Sequence, residues 1–275
     1  MTSAPAHKST RGRSRLARTR YALLACAAAC NTASAVSADA QYANGPTTAP
    51  PPPAEAPTLK DCEQTDSAPL VVRACTYILN TTDPDQTERA RILMLRAVGW
   101  GKEEDFGAAA DDYTSVLKLQ PKNITALEGR AWARAKNSQY LKAVEDYTTL
   151  IGFDPKNDKY YRDRGQALMR AHKFDDALSD FDKSLQLKPS EVEAYMGRAQ
   201  VFNAMNDRER AKAEFNKGIA VNDRYLPLFW MRGEMARDWD DKELALESYT
   251  KVLSINSLHE DARRRMFYLG VLHPP

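Results

Sequence analysis

Histidine, cysteine and glycine are all scarce in this sequence of 275 residues, and each scarcity closes off a class of chemistry. The four histidines, His7, His172, His259 and His273, have no second His, Cys or carboxylate at a recognised metal-ligand or triad spacing, and they read as surface residues. No Gly-rich phosphate loop is present. The acidic doublets Asp111-Asp112, Asp175-Asp176 and Asp240-Asp241 fall at unrelated places and describe solvated helix faces better than a paired-carboxylate active site. The expectation is a chain with no catalytic residues, no metal and no cofactor. Charge of one sign is also lacking. The formal balance of +2 is set by Lys8, Arg11, Arg13, Arg15, Arg18 and Arg20, which precede the first acid, Asp39, and beyond residue 40 it becomes about −3, so no nucleic-acid partner is implied. The apolar block Tyr21 to Cys30 spans only about ten residues, half of what a bilayer requires, so no transmembrane span is expected after processing.

The same block, preceded by basic residues and followed by the small-residue patterns Ala33-Ser34-Ala35 and Ala38-Asp39-Ala40, has the design of a signal peptide over residues 1–40. Export to a periplasm or the exterior is expected. Leu23-Leu24-Ala25-Cys26 also fits a lipoprotein box, which would anchor the chain at Cys26, and an Arg-rich, acid-poor leader fits mitochondrial import less well. Residues 41–58, rich in Pro, Ala and Thr, cannot bury a core and read as an extended, disordered linker. Cys62 and Cys75 remain as an even pair in the mature chain. In an oxidising compartment they read as a disulfide closing a loop of about 14 residues, worth about 3 kcal/mol; two separate buried thiols are the alternative.

From Ala90 the sequence returns to itself every 34 residues through five units, 90–123, 124–157, 158–191, 192–225 and 226–259. Position 8 of the unit is small (Ala97, Ala131, Gly165, Ala199, Gly233) and position 20 is alanine (Ala109, Ala143, Ala177, Ala211, Ala245). Position 24 is aromatic (Tyr113, Tyr147, Phe181, Phe215, Tyr249) and position 28 aliphatic (Leu117, Ile151, Leu185, Ile219, Leu253). The spacings within each unit are those of two amphipathic helices, so each unit is expected to be a helical hairpin whose small residues let its helices approach. Pro121, Pro155 and Pro189 at position 32 should end the second helix of the first three units.

A small residue at 8, Ala at 20, an aromatic at 24 and Pro at 32 in a 34-residue unit resemble the tetratricopeptide repeat. Arg134 at position 11 departs from that pattern and should weaken the packing of the second unit. The resemblance implies an all-α, right-handed superhelical solenoid of antiparallel hairpins. A divergent N-terminal capping hairpin over 59–89, with Pro69 to Leu79 as its second helix, and a C-terminal solvating helix within 260–275 should close its ends.

Two residue sets follow from the register. Arg96, Arg130, Arg164, Arg198 and Arg232 recur at position 7, and Asp112, Asp146, Asp180 and Glu214 at position 23. Exposed ion pairs within each hairpin are expected, at ~0.5 kcal/mol each, and because Ser248 stands where its acid would be, Arg232 is the one of the five expected to contact something else. The resemblance also implies a concave groove lined by the first helix of each unit. Carried over by position, the groove comprises Met94, Val98, Trp132, Lys136, Arg162, Gln166, Met169, Met196, Trp230 and Glu234, with Leu95 and Met231 shared between groove and core. Its basic residues gather in units one to three and its acidic ones, Glu193, Glu234 and Asp238, in units four and five, a gradient that would orient a partner with one end of each sign. The function expected is a scaffold that binds a protein or peptide segment. The alternative is a self-associating structural component or a lipid-anchored assembly factor of the cell envelope, homo-oligomeric through Met266-Phe267-Tyr268-Leu269.

Overall fold

The computed structural model describes residues 56–64 and 66–270. The leader, its cysteines and most of the linker lie outside the described residues. Among the described residues there are thirteen helices and no strand: α1 Leu59–Glu63, α2 Ala68–Thr81, α3 Gln86–Lys102, α4 Phe106–Leu119, α5 Ile124–Lys136, α6 Tyr140–Phe153, α7 Asp158–Arg170, α8 Phe174–Leu187, α9 Val192–Ala204, α10 Arg208–Val221, α11 Leu226–Asp238, α12 Lys242–Ile255 and α13 Glu260–Tyr268. The architecture is an all-α solenoid in which consecutive helices pack as antiparallel hairpins. None of these helices is long and apolar enough to cross a membrane.

Local chemistry sets the helix ends in the same register each time. Asn123 and Asn157 cap α5 and α7 by accepting from Ala126 and Lys159 amides at 3.0 and 3.2 Å. Asp105, Asp207 and Asp241 do the same for α4, α10 and α12. Pro121, Pro155 and Pro189 stand two residues beyond the last residues of α4, α6 and α8. One boundary differs from the sequence register: α3 begins at Gln86, four residues before the 34-residue unit opens, because Asp85 accepts from the Glu88 amide and supplies a cap there.

The turn between the two helices of each hairpin carries a feature that the sequence hides. Glu104, Ser138, His172, Asn206 and Asp240, all at position 15, are left-handed, with φ between 58° and 61°. The amide of the next residue reaches back to the carbonyls of Trp100, Arg134, Leu168, Phe202 and Ala236 at 2.8–3.0 Å, which closes the first helix in a Schellman arrangement. Glycine is the ordinary occupant of such a site, and none of the five is glycine. Replacing each by Gly should therefore raise stability by about 0.5–1 kcal/mol per site, most where the side chain makes no compensating bond. Denaturant titration of the single variants checks this, and a loss of stability at most sites would contradict it.

The core runs the length of the array. The position-20 alanines are wholly buried, as are Phe181, Phe215 and Tyr249, and Tyr113 and Tyr147 nearly so. Gly129 and Gly197 make room for the ring of the preceding unit: a Cβ on either would lie 2.4 Å from the rings of Tyr113 and Phe181 respectively. At the N-terminal end, Cys62, Val71, Ala74, Cys75 and Ile78 bury Ile92 of α3, and Cys62 and Cys75 are joined, S to S, at 2.03 Å. At the C-terminal end, α13 lays Ala262 and Met266 on the core of the fifth unit and is capped by His259 Nδ1, which accepts from the Ala262 amide at 3.2 Å. This corrects the apolar strip expected there. Met266 is internal while Tyr268 is 72% exposed, because successive residues of a helix point about 100° apart and cannot form one face.

Candidate functional site

The first helices of neighbouring hairpins touch one another directly, α7 on α9 and α9 on α11, so this is the inner side of the curve. On it lies a concavity of about 650 Å³ lined by α5, α6, α7 and α9, including Trp132, Lys136, Gln166, Met169, Arg170 and Gln200. It runs on toward α11 by way of Gln166, Gln200 and Met231, and toward the hairpin turns by way of Met169, Arg170 and His172.

The residues assigned to the groove by register divide into two groups. Val98 and Trp132 are 49% and 41% exposed, Lys136 and Gln166 are exposed, and Met169 is half-buried within the concavity. Trp132 is braced edge-on by Phe106, with ring centroids 5.3 Å apart, so the indole has little freedom to lose on binding. The other group is engaged inside the protein. Met196 is 8% exposed and belongs to the core of units four and five, because α11 lies against α9 at that point; only its edge reaches the groove. Trp230 packs on Tyr249 and His259, at 5.6 and 4.9 Å between ring centroids. Met94, Leu95 and Met231 lean on core clusters.

Several groove charges are closed by internal partners. Arg162 bonds Asp163 at 2.9 Å, Glu191 at 3.2 Å and Glu193 at 2.7 Å, a network that ties the third unit to the fourth. Glu193 also accepts from Tyr225 at 2.8 Å, and burial together with this bond pushes the phenol up to about 12. Glu234 accepts from Tyr249, Arg237 and Arg265 at 2.7–3.0 Å. Burial opposes ionisation of Glu191, yet Lys188 and Arg162 hold it below the usual carboxylate range. Asp163 goes the other way: burial, aided by Glu193 and Glu191, outweighs Arg162 and lifts its carboxyl above the ordinary value. A carboxyl raised in the folded state loses stability as pH climbs from the unfolded value through the folded one, and the loss is complete at neutrality. Asp163→Asn should therefore match the parent at pH 3 and gain on it as pH rises toward 7, by less than about 1 kcal/mol. Thermal melts across that range test this, and an Asn variant that falls steadily behind the parent would contradict it.

The arginine ladder is present but is neither exposed nor confined to single hairpins. Arg96, Arg130 and Arg164 each reach their position-23 acid at 2.7 Å, and Arg198 reaches Glu214 at 3.2 Å. The acids are only 3–6% exposed, since position 23 lies beside the core aromatic at 24. This corrects the expectation of weak surface pairs. Spare guanidinium nitrogens bond the unit before, Arg96 to Thr76 at 3.1 Å, Arg164 to Thr148 at 3.1 Å and Arg198 to Asp182 at 2.9 Å, so the ladder couples successive hairpins. Arg232, with no acid at position 23, turns to other partners, as expected. It is buried, donating to Ser248 Oγ at 2.8 Å and to Glu247 at 2.7 Å. Arg134, the departure at position 11, is accounted for as a second cation on Asp146 at 2.7 Å.

Gln200 and Tyr140 are among the groove residues that escaped the sequence reading. Gln200 holds position 9 of the fourth unit, as Gln166 does in the third, and the register alone could have found it. Tyr140 could not be found that way, because it opens the second helix α6 while the groove was drawn from first helices only.

Comparison with known proteins agrees with this geometry. Family models of the tetratricopeptide repeat match residues 101–158, 158–191 and 192–225. Among solved structures, TTC0263, a thermophilic TPR protein of Thermus thermophilus, superposes with a TM-score of 0.55 at 20% identity, over 66% of this chain and 100% of that one. A double mutant of MamA from strain RS-1 gives 0.50 at 17% identity, over 57% and 86%. At these identities the likeness concerns the fold. No curated protein matches the sequence. Repeats of this kind serve in general as protein-interaction scaffolds. Residues 101–225 are thus tetratricopeptide repeats, and the flanking hairpins α3–α4 and α11–α12 continue them in the same register.

Proposed function

We propose that the chain is a non-catalytic adaptor that holds a segment of a partner protein in the concave groove of α5, α7 and α9. The observation that carries this reading is Trp132, a large aromatic 41% exposed on the inner curve although the core slots of its unit are already filled by Leu127 and Tyr147. An indole braced by Phe106, in the same concavity as Met169 and the amides of Gln166 and Gln200, offers an apolar anchor and adaptable hydrogen-bonding groups on one face. Export remains part of the proposal, and the Cys62–Cys75 bridge supports an oxidising compartment.

The test is site-specific photo-crosslinking in the native host, with a photoreactive residue at Gln166 or Gln200 and, as controls, at Thr149 or Lys183 on second helices. Adducts from the groove positions and none from the controls are expected. Equal capture at Thr149 and Lys183, or none in the groove, would overturn the reading.

A further inference from the structure

The chemistry of the partner can be narrowed by asking which groove charges are still available. By sequence the groove is mixed, cationic toward the N-terminal units and acidic toward the C-terminal ones. In the folded chain the acidic half is spent. Asp163, Glu193, Glu234 and Asp238 each face an arginine of the same molecule at 2.7–3.0 Å. The cationic half is spent only in part: Arg91 and Arg162 are paired, whereas Lys136 and Arg170, both lining the concavity, are exposed and form no hydrogen bond or ion pair with any described residue.

Their shared place has an ordinary structural explanation that can be weighed. Both stand at position 13, the last residue of α5 and α7, where a cation complements the helix dipole. The repeat does not require one there, however, since Ala204 and Asp238 occupy position 13 at the ends of α9 and α11. Lys102 holds the same position at the end of α3, outside this concavity, whereas Lys136 and Arg170 line it together with Trp132 and Met169.

We propose that the groove selects an acidic segment of a partner protein, in which an aromatic or aliphatic side chain is flanked by carboxylates. The apolar side chain packs on Trp132 and Met169, while the carboxylates pair with Lys136 and Arg170. A basic segment finds no free acid in the same concavity. This rests on the groove reading above and adds the sign of the charge. Because the cations are solvent-exposed, attraction should act largely through long-range steering and be screened over a Debye length of about 8 Å at physiological salt.

The experiment is selection of random peptides of about twelve residues, displayed on phage, against the full chain and against a Lys136→Glu/Arg170→Glu variant with an unchanged circular dichroism spectrum. The parent should enrich sequences with Asp or Glu around a large apolar residue, and the variant should enrich Lys or Arg instead. A labelled peptide of the parent's consensus should bind the double variant about tenfold more weakly or worse, and weaken markedly from about 50 to about 300 mM salt. Neutral or basic consensus peptides whose binding is still lost on Trp132→Ala would overturn the charge proposal and leave the groove reading standing. Peptides indifferent to both Trp132→Ala and the charge reversal would overturn both, as would a selection that enriches nothing.

Discussion

Asp146→Ala is expected to lower the stability of the array by about 3–5 kcal/mol, more than any other single substitution in the ladder. The carboxylate is 3% exposed and accepts three bonds, from Arg130 Nε at 3.1 Å, Arg130 Nη2 at 2.7 Å and Arg134 Nη1 at 2.7 Å. Its removal leaves two guanidinium groups, each under a fifth exposed, with no counter-ion. Asp112 and Asp180 each serve one guanidinium through a bidentate pair, so the same truncation there should cost less. A control separates the loss of the pair from the exposure of unpaired charge: Arg130→Met, Arg134→Leu and Asp146→Leu together should recover most of the stability, because an apolar cluster of similar volume carries no desolvation penalty. Urea titrations of the single and triple variants supply the comparison. A loss below about 1 kcal/mol in Asp146→Ala would mean that the ladder behaves as a set of surface pairs after all.

Reduction of the Cys62–Cys75 bridge is the second large effect. Its loop of about 14 residues corresponds to about 3 kcal/mol in the chain-entropy description. Beyond it, α1, a helix of five residues with Cys62 as its only buried side chain, is tied to α3 by the exposed Arg91–Glu63 ion pair. The bridge and the small cluster of Val71, Ala74 and Ile78 against Ile92 are what close the N-terminal end of the array. Reduction should therefore release α1 and speed amide exchange in α2 and the first turns of α3, while α7 to α12 keep their protection, since each hairpin depends mainly on its neighbours. Hydrogen exchange with and without a thiol reductant measures this. Uniform loss of protection along all hairpins would show that the cap governs the whole array, and no change at α2 would show that the bridge is dispensable.

Much of the fold is legible in the sequence because a repeat states its pattern five times. Ala143 alone says little, but alanine at the same place in every unit, followed four residues later by an aromatic, marks a buried face, and those residues are buried. What the register could not supply was depth and partnership. Asp146 and Asp180 look like surface acids in a polar stretch; they are internal because the helix turns them beside Tyr147 and Phe181. Arg134 looked like a packing fault until Asp146 was seen to hold it. The left-handed turn residues gave only a faint signal, since His172, Asn206 and Asp240 are types that tolerate that region whereas Glu104 and Ser138 are not.

The candidate groove was legible in outline and misjudged in detail for the same reason. Position within the unit identified Trp132, Lys136 and Gln166, which do line the concavity. It could not show that Met196 is absorbed by the contact of α9 with α11, or that Glu234 is held by Arg265 from a helix beyond the repeats. Availability depends on contacts between units, and in the groove those differ from one unit to the next.

The central claim is that the inner curve is the binding face. Hydrogen exchange of the full chain, free and saturated with a peptide selected on it, tests this most directly. Protection gained on α5, α7 and α9, with α6, α8 and α10 changed only where Tyr140 and Tyr147 border the concavity, is the predicted result. Protection gained chiefly along the outer helices, or at α13, would contradict it.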